Sequence, residues 1–323
     1  MMDSISRRRF LQASAVGAGS LAAIGGGAFD LLADPLKMPI GLQLYTVGPE
    51  LAKDFEGTLK QIAAIGYKSL ELASLASVKD HASADLRKLV DGMGMHCASA
   101  HVVQTTKDEV GLDTTIDFCS KLGLDYMVCA AFNVGALSGT PPPPPAPGAA
   151  PGTTPGRGQQ AQLTLDDYKR VADSFNRIGE KISKAGMKFA YHNHAMEFID
   201  YSGTSGFDYL LAQTDPKIVH YELDCGWAVY AGQDPVALMK KYPGRIKMLH
   251  VKDEQPGFPA TTGRGGAPTT EIGKGTIDWK QVFVEAKKIK IDHYFVEQEP
   301  PFSEMPPLQA IKVSYDYLHS LNV

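Results

Sequence analysis

Short apolar runs alternate with amphipathic stretches from residue 40 to the end of the chain. Eight runs have the length of a strand, and each is followed by a stretch in which apolar residues recur at helical spacing. Strict alternation of strands and helices is typical of a parallel sheet with helical crossovers. Eight such units within 323 residues predict a single-domain α/β fold, the (β/α)8 TIM barrel. The predicted strands are 40–46, 69–73, 96–103, 126–132, 187–194, 218–226, 246–253 and 293–299, and the predicted helices are 55–66, 83–94, 114–123, 163–186, 204–214, 234–244, 278–289 and 307–321.

An open, doubly wound sheet is the structural alternative to the barrel. Such sheets usually contain about five to seven strands, fewer than the alternation supplies. No glycine-rich phosphate turn of the G-x-G-x-x-G type follows the first predicted strand. The strand count and the missing turn therefore favour the barrel.

The N-terminal segment precedes this pattern and carries the run SRRRFLQ from Ser6, followed by an Ala/Gly-rich apolar stretch. This order of residues resembles a twin-arginine export signal. A basic amphipathic helix or a membrane anchor is the alternative interpretation. We expect residues 1–35 to be a signal peptide and linker, with cleavage near Ala28 or Ala33, and residues 36–323 to form the barrel. The resemblance implies export to the periplasm, or beyond it, in the folded state.

One segment interrupts the alternation. Residues 138–162 are rich in proline, glycine and alanine, a composition that cannot bury a core. They lie between the fourth strand and the fourth helix, on the C-terminal face of the predicted barrel, where active sites are found. The insertion is either a tolerated surface loop or a lid or docking arm. A second Gly/Pro-rich loop, 254–275, follows strand seven on the same face.

Composition excludes several classes of function. The net charge of −4 provides no basic field for nucleic acid or an anionic membrane surface. Apolar runs in the mature region are of strand length, so no membrane span is expected there. The cysteines show no C-x-x-C spacing, and we expect buried thiols rather than a zinc–thiolate site. These cysteines are Cys97, Cys119, Cys129 and Cys225.

Polar residues cluster at the C-terminal ends of the predicted strands, which converge on one mouth in a barrel. Carboxylates and imidazoles together bind Mn²⁺, Mg²⁺, Co²⁺ or Zn²⁺. Alternate residues of a strand share a face, so Glu222 points the same way as Asp224, and His250 the same way as Lys252. Either Glu297 or Glu299 can serve on strand eight. The remaining polar strand-end residues are Gln43, Tyr45, Glu71, His101, His192, His194, Glu197 and Asp253.

Seven segments spread over residues 40–299 resemble the sugar phosphate isomerase/epimerase family of xylose isomerase-like barrels. They are GLQLYT, GYKSLELA, YHNHAMEF, ELDCGW, RIKMLHVKD, IGKGTIDW and YFVEQE. The resemblance implies one divalent metal ion held by Glu, Asp, His and Glu from strands five to eight. Asp224, His250 and Glu297 match the last three of these positions.

Strand five departs from the family pattern. The position that holds a glutamate in better-known epimerases is His192, and the nearest glutamate, Glu197, lies five residues further on. Glu197 either reaches back to complete a Glu/Asp/His/Glu site, which is the ligand set we favour, or binds substrate while His192 is the ligand. His194 is then a base or a substrate contact at the mouth.

The resemblance implies metal-dependent isomerisation or epimerisation of a sugar or keto-sugar through an enediolate. The metal stabilises the enediolate charge, and two bases on opposite faces move the proton. We expect Glu197 or His194 as one base, Glu297 as the other, and Lys252 to neutralise the oxyanion. The candidate substrate contacts are Glu71, His101, His192 and Trp227.

Three alternatives accompany this hypothesis. Export disfavours a phosphorylated cytoplasmic substrate. On an extracytoplasmic keto-sugar, the same enolate chemistry would expel the group β to the carbonyl, which is the reaction of a 3-keto-glycoside lyase. Cleavage of abasic DNA is a reaction of other enzymes with this fold. Their metal cluster needs more histidine ligands than this sequence offers. A non-catalytic barrel that binds a sugar or a partner is the alternative of another class. The expected partner is a small sugar, and a homo-oligomer is left open.

Overall fold

The computed structural model describes residues 34–78, 80–105, 109–132, 163–263, 266 and 268–323. Residues 1–33 of the predicted signal segment and the whole insertion at 138–162 lie outside these ranges. The signal peptide and the role of the insertion therefore stay predictions.

Eight parallel strands close into a barrel in the described part of the chain, which confirms the predicted fold. Each strand pairs with its sequence neighbour, and the first strand pairs with the last. The strands are β1 (Gly41–Gln43), β2 (Ser69–Leu72), β3 (His96–His101), β4 (Tyr126–Cys129), β5 (Lys188–His192), β6 (Val219–Asp224), β7 (Ile246–Val251) and β8 (His293–Val296).

Helices cover the outside of the barrel, and each of the eight predicted helices is present. Two short helices at the mouth, α1 and α7, add to them. The helices are α1 (Gly48–Lys53), α2 (Phe55–Ile65), α3 (Ser83–Gly92), α4 (Leu112–Leu122), α5 (Leu165–Lys184), α6 (Gly206–Gln213), α7 (Cys225–Tyr230), α8 (Pro235–Lys241), α9 (Trp279–Ile289) and α10 (Pro307–His319).

The start of α5 shows how local sequence sets an element. The Thr164 side chain accepts from the Asp167 backbone N–H, and the Asp167 side chain accepts from the Thr164 backbone N–H. This reciprocal capping box satisfies two of the helix's unpaired donors and sets where α5 begins.

The end of β6 differs from the prediction. The strand was expected to run to residue 226, but it ends at Asp224, because the Asp224 side chain accepts from the Trp227 backbone N–H at 2.7 Å and begins helix α7. The turn places the Asp224 carboxylate at the barrel mouth.

Side-chain alternation fills the barrel in layers. A layer of small and apolar residues packs inside the middle of the barrel. Above it, His192 of β5 pairs in register with Glu222 of β6, and Asp224 pairs with His250 of β7. The predicted shared facing of these strand-end residues is therefore realised at the C-terminal end. The apolar layer consists of Ala98, Tyr126, Val128, Ala190, Met248 and Phe295.

The loop after β7 is held by its own hydrogen bonds. Its ends pair as a two-stranded antiparallel ladder, Asp253–Glu254 with Thr269–Thr270. The fully buried Asp253 carboxylate accepts hydrogen bonds from three backbone N–H groups of residues 273–277 and from the indole of Trp279. Gly275 is required there, since a Cβ would lie 2.1 Å from the Asp253 carboxylate.

Two further expectations concern the cysteines and membrane-spanning helices. All four cysteines are buried thiols without disulfides, as predicted. Within the described ranges, no helix combines the length and apolar character that crossing a membrane requires.

Candidate metal centre

Three of the predicted ligands converge at the C-terminal mouth. Asp224 ends β6, His250 lies near the end of β7, and Glu297 directly follows β8. His250 Nδ1 lies 3.7 Å from Asp224 Oδ2 and 3.2 Å from Glu297 Oε2. All three side chains are buried, and their ligand atoms are close enough to share one ion.

His192 of β5 lies beside this group. Its Nε2 atom is 3.8 Å from Asp224 Oδ2, and its ring centroid is 4.4 Å from that of His250. The strand-five residue that the structure brings to the candidate ligands is therefore His192.

The structure does not bring Glu197 to this group. Glu197 lies in the 3-10 turn Met196–Phe198, where its carboxylate accepts from the Tyr191 hydroxyl and from the His194 backbone N–H at 2.9 Å. The reason is strand alternation: Tyr191 points outward to the helical layer, and the turn carries Glu197 back alongside it. Glu197 as a ligand stays a prediction, and these contacts of its carboxylate favour the alternative with His192.

Two carboxylates behind the ligands orient the histidine rings. Glu222 Oε2 lies 3.1 Å from His192 Nδ1, and Glu71 Oε1 lies 2.6 Å from His250 Nε2. With the ring protons assigned to these bonds, His192 Nε2 and His250 Nδ1 are the bare nitrogens that face Asp224. A carboxylate on the far nitrogen is the usual support of a metal-binding histidine. Gln43 in turn donates to Glu71 at 2.8 Å.

His101 lies between the two supporting carboxylates. Its Nε2 is 3.0 Å from both Glu71 Oε1 and Glu222 Oε2. Burial opposes the charged ring, but the two carboxylates outweigh it and raise the pKa of His101 to about 9. Burial, followed by the nearby charge of Glu71, raises the pKa of Glu222 to about 7. His101, Glu71 and Glu222 thus form a layer of ionisable side chains beneath the mouth.

A second set of ligand atoms also lies close together, those of His101, His192, Glu222 and His250. In this set, the same Glu222 oxygen already accepts from His101 and His192. An ion there would displace the bonds that orient the rings. We therefore assign the candidate ligands as His192 Nε2, Asp224 Oδ2, His250 Nδ1 and Glu297 Oε2.

Lys252 lies on the other side of the ligand carboxylates. Its Nζ is 3.0 Å from Asp224 Oδ2, 2.8 Å from Glu297 Oε2 and 2.6 Å from Glu299 Oε1. Burial lowers the pKa of an ammonium group, but these carboxylates outweigh it and hold the pKa of Lys252 well above its ordinary value. Gly226 makes room for the chain, since a Cβ there would lie 2.8 Å from Lys252 Cγ. Lys252 is thus a fixed cation behind the ligands.

The buried charges of the site fit a divalent cation. Four carboxylates of the site are fully or nearly buried. Asp224 Oδ2 accepts no well-aligned hydrogen bond, although Lys252 Nζ lies 3.0 Å away. Buried charges in proteins are paired or coordinate a metal, so the free lone pair of Asp224 Oδ2 suits an ion at this position. The four carboxylates are those of Glu71, Glu222, Asp224 and Glu297.

A cavity of about 280 Å³ opens above the candidate ligands. That volume suits a small molecule. Of the predicted substrate contacts, His101 and His192 line the cavity, while Glu71 and Trp227 do not. His194 also lines it, with its ring centroid 5.2 Å from that of Trp227. The other lining residues are Tyr45, Ala73, Ser74, Val103, Gln104, Ala130, Ala131, Glu297 and Glu299.

Comparison with known proteins agrees with this fold. The model of the family described as "Xylose isomerase-like TIM barrel" matches residues 59–321 of the chain. The chain is 27% identical over 284 residues to the inosose dehydratase of Geobacillus kaustophilus, an alignment that covers 81% of this chain and 86% of that protein.

Solved structures extend the comparison. A sugar phosphate isomerase/epimerase from Parabacteroides distasonis is 29% identical, with a TM-score of 0.64 over 87% of this chain and 93% of that chain. The IOLI protein, solved with a zinc atom bound, superposes with a TM-score of 0.65 over 88% of this chain and 98% of that chain; its 15% identity supports a shared fold alone. The chain therefore belongs to the xylose isomerase-like TIM barrel family.

Proposed function

We propose that the chain is a divalent-metal-dependent lyase that acts on an uncharged keto-sugar or keto-cyclitol. It removes a proton next to the ketone and expels the oxygen substituent β to it. The observation that carries the proposal is the cluster of Asp224, His250 and Glu297, whose ligand atoms are close enough to share one ion. His192 Nε2 lies 3.8 Å from Asp224 Oδ2, and buried glutamates hold both imidazoles. The inosose dehydratase relative performs a dehydration by name, and its similarity supports elimination.

The donor set narrows the metal. Imidazole nitrogen suits Zn²⁺, Co²⁺ or Mn²⁺ better than Mg²⁺, which prefers oxygen ligands and water. His192, Asp224, His250 and Glu297 would hold such an ion, which would supply positive charge to stabilise a developing oxyanion.

The cavity lining indicates the charge of the substrate. No arginine or lysine stands among the described residues that line it, whereas two carboxylates do. A phosphate group requires donors such as arginine, lysine or a helix N-terminus. The two carboxylates of this lining support an uncharged sugar.

Two groups at the cavity can move the proton. Glu299 lies outside the ligand set, lines the cavity and is held by Lys252 at 2.6 Å. In our proposal, Glu299 takes the proton from the carbon next to the ketone, the carbon–carbon double bond forms, and the β carbon–oxygen bond breaks. His194 donates a proton to the departing oxygen. Histidine and carboxylate side chains commonly fill these roles.

Isomerisation or epimerisation remains the second candidate, because the Parabacteroides distasonis relative carries that name. Epimerisation needs a base on each face of the substrate. Glu197, predicted as one of the two bases, hydrogen-bonds Tyr191 on the outer side of strand five. The position of Glu197 therefore supports a lyase over an epimerase that uses two carboxylate bases.

Proton NMR in D₂O separates these candidates. The protein is loaded with Zn²⁺, Mn²⁺ or Co²⁺ and incubated with an inosose, a 3-keto-glucoside and a free ketose, and Asp224→Ala and a chelated sample serve as controls. A lyase releases the leaving group and forms an enone, whereas an epimerase incorporates deuterium without loss of a group. If wild-type protein binds no stoichiometric metal, or if Asp224→Ala behaves like wild type, the site is not catalytic and a binding barrel is favoured.

A further inference from the structure

Glu197 is a buried carboxylate that the proposed chemistry does not use. Only 1% of its surface is exposed. Leaving a carboxylate charged in the interior is unfavourable unless hydrogen bonds compensate it. Glu197 accepts hydrogen bonds from the Tyr191 hydroxyl and from the His194 backbone N–H. Bonds to an ionised acceptor are about twice as strong as neutral ones, so the carboxylate fixes the backbone where it meets His194.

The turn that carries Glu197 is fastened to the helical layer. Tyr191 is fully buried and packs on Phe175 of α5, with ring centroids 5.0 Å apart. The Tyr168 hydroxyl, from the same helix, donates to the Met196 carbonyl at 3.4 Å. Two tyrosines therefore hold residues 196–198 from the outside of the barrel.

His194 occupies the inner side of the same turn. Its ring lies at the cavity, 5.1 Å from the ring of His192 and 5.2 Å from that of Trp227. The bond from the His194 N–H to Glu197 fixes the backbone from which this ring projects. The four residues from His194 to Glu197 thus link the outer hydrogen bonds to the position of the inner ring.

We propose that Glu197 is a positioning residue, not a metal ligand, and that it holds the His194 ring at the mouth of the cavity. The role of His194 as proton donor rests on the proposed function, but the positioning does not. A displacement of about 1 Å in a reacting group can lower a rate by about 100-fold. Loss of the Glu197 bond should therefore lower turnover without releasing the ion.

NMR of the histidine rings tests the positioning without any substrate. The chain contains nine histidines, so protein labelled at the histidine Cε1 position gives at most nine ring signals, recorded with and without Zn²⁺. His194→Ala assigns one of them. In Glu197→Ala that signal should move, because the ring leaves Trp227, while the signals of His192 and His250 keep their Zn²⁺-dependent shifts. Glu197→Gln keeps an acceptor for the N–H and should restore most of the wild-type position.

Kinetics on whichever substrate reacts gives the second test. Glu197→Ala should lower kcat by about 10- to 100-fold, with Zn²⁺ affinity within about threefold of wild type. His194→Ala should lower kcat by about 100-fold or more. The double variant should be no slower than His194→Ala, because both changes remove the same contribution. Glu285→Gln, which alters a buried carboxylate paired with Lys288 on α9, is the matched control.

Three results overturn the proposal. Loss of Zn²⁺ binding in Glu197→Ala would make Glu197 a ligand or a general structural support. An unmoved His194 signal would show that the bond does not place the ring. Multiplying effects in the double variant would show that the two residues act separately. If no substrate of the panel reacts, the proposed function fails, and the ring signals still decide the positioning.

Discussion

Glu222→Gln is the substitution that most directly tests the candidate metal centre. It keeps the shape of the side chain and removes its charge. Glu222 Oε2 lies 3.1 Å from His192 Nδ1 and 3.0 Å from His101 Nε2, while Oε1 has no hydrogen-bond partner in the described structure. The amide oxygen can replace Oε2, and the amide nitrogen can occupy the place of Oε1.

The expected loss follows from the two bonds. A hydrogen bond to a charged group contributes about 1.5–3 kcal/mol and a neutral one about 0.5–1.5 kcal/mol, so each bond to Glu222 weakens by about 1 kcal/mol. The bond to His192 supports a ligand, and removing such support typically lowers metal affinity by about 10- to 100-fold. We expect Zn²⁺ affinity to fall by this factor, or about 1.4–2.7 kcal/mol.

Competition with a chromophoric chelator measures the affinity. Thermal unfolding in excess chelator measures the fold without metal, and Zn²⁺ should then raise the Tm of Glu222→Gln less than that of wild type. Glu271→Gln is the control, because Glu271 is also buried but pairs with Lys274 away from the ligands. Affinity within threefold of wild type for Glu222→Gln, or an equal loss in Glu271→Gln, would refute the assigned ligand geometry.

Further predictions concern the support of the site, the opposite end of the barrel and the chain start. Gly226→Ala should destabilise the fold by about 1–3 kcal/mol in urea unfolding, because the new Cβ meets Lys252. Burial raises the pKa of Asp292, but hydrogen bonds from Lys188 and a tyrosine hydroxyl outweigh it and hold the pKa below its ordinary value. Asp292→Asn should therefore destabilise by about 1–2 kcal/mol at pH 7, and the difference from wild type should shrink as the pH falls below about 4. If the twin-arginine prediction holds, mass spectrometry of the exported protein should find its first residue at or before Asp34, which is buried and pairs with a histidine of the last helix.

Local patterns were sufficient to predict the barrel and most of its mouth. Alternation along each strand placed Asp224, His250 and Glu297 on one side, and the structure brings them together. The position of Glu197 could not be read this way, because it depends on a turn beyond the strand. That turn returns Glu197 to the outward-facing Tyr191, whose hydroxyl donates to its carboxylate.

The supporting carboxylates were harder to assign. Glu71 and Glu222 stand at strand ends like the ligands themselves, and sequence spacing does not distinguish a residue that meets the ion from one that meets a ligand. The distinction arises from register across the barrel, which places Glu71 of β2 against His250 of β7 at 2.6 Å. Such a contact joins residues that are far apart in the sequence.

The histidine at the strand-five position changes the charge of the centre. The Glu/Asp/His/Glu pattern implied by the family resemblance carries three negative charges, whereas His192, Asp224, His250 and Glu297 carry two. In the proposed centre, these ligands would balance the charge of a divalent ion, so less negative charge would oppose the developing oxyanion of a substrate. Glu222 keeps part of the missing charge close by, but one ring further away, where it orients His192. The exchange of glutamate for histidine therefore favours a centre that stabilises developing negative charge, and it removes a carboxylate that a two-base epimerase would use.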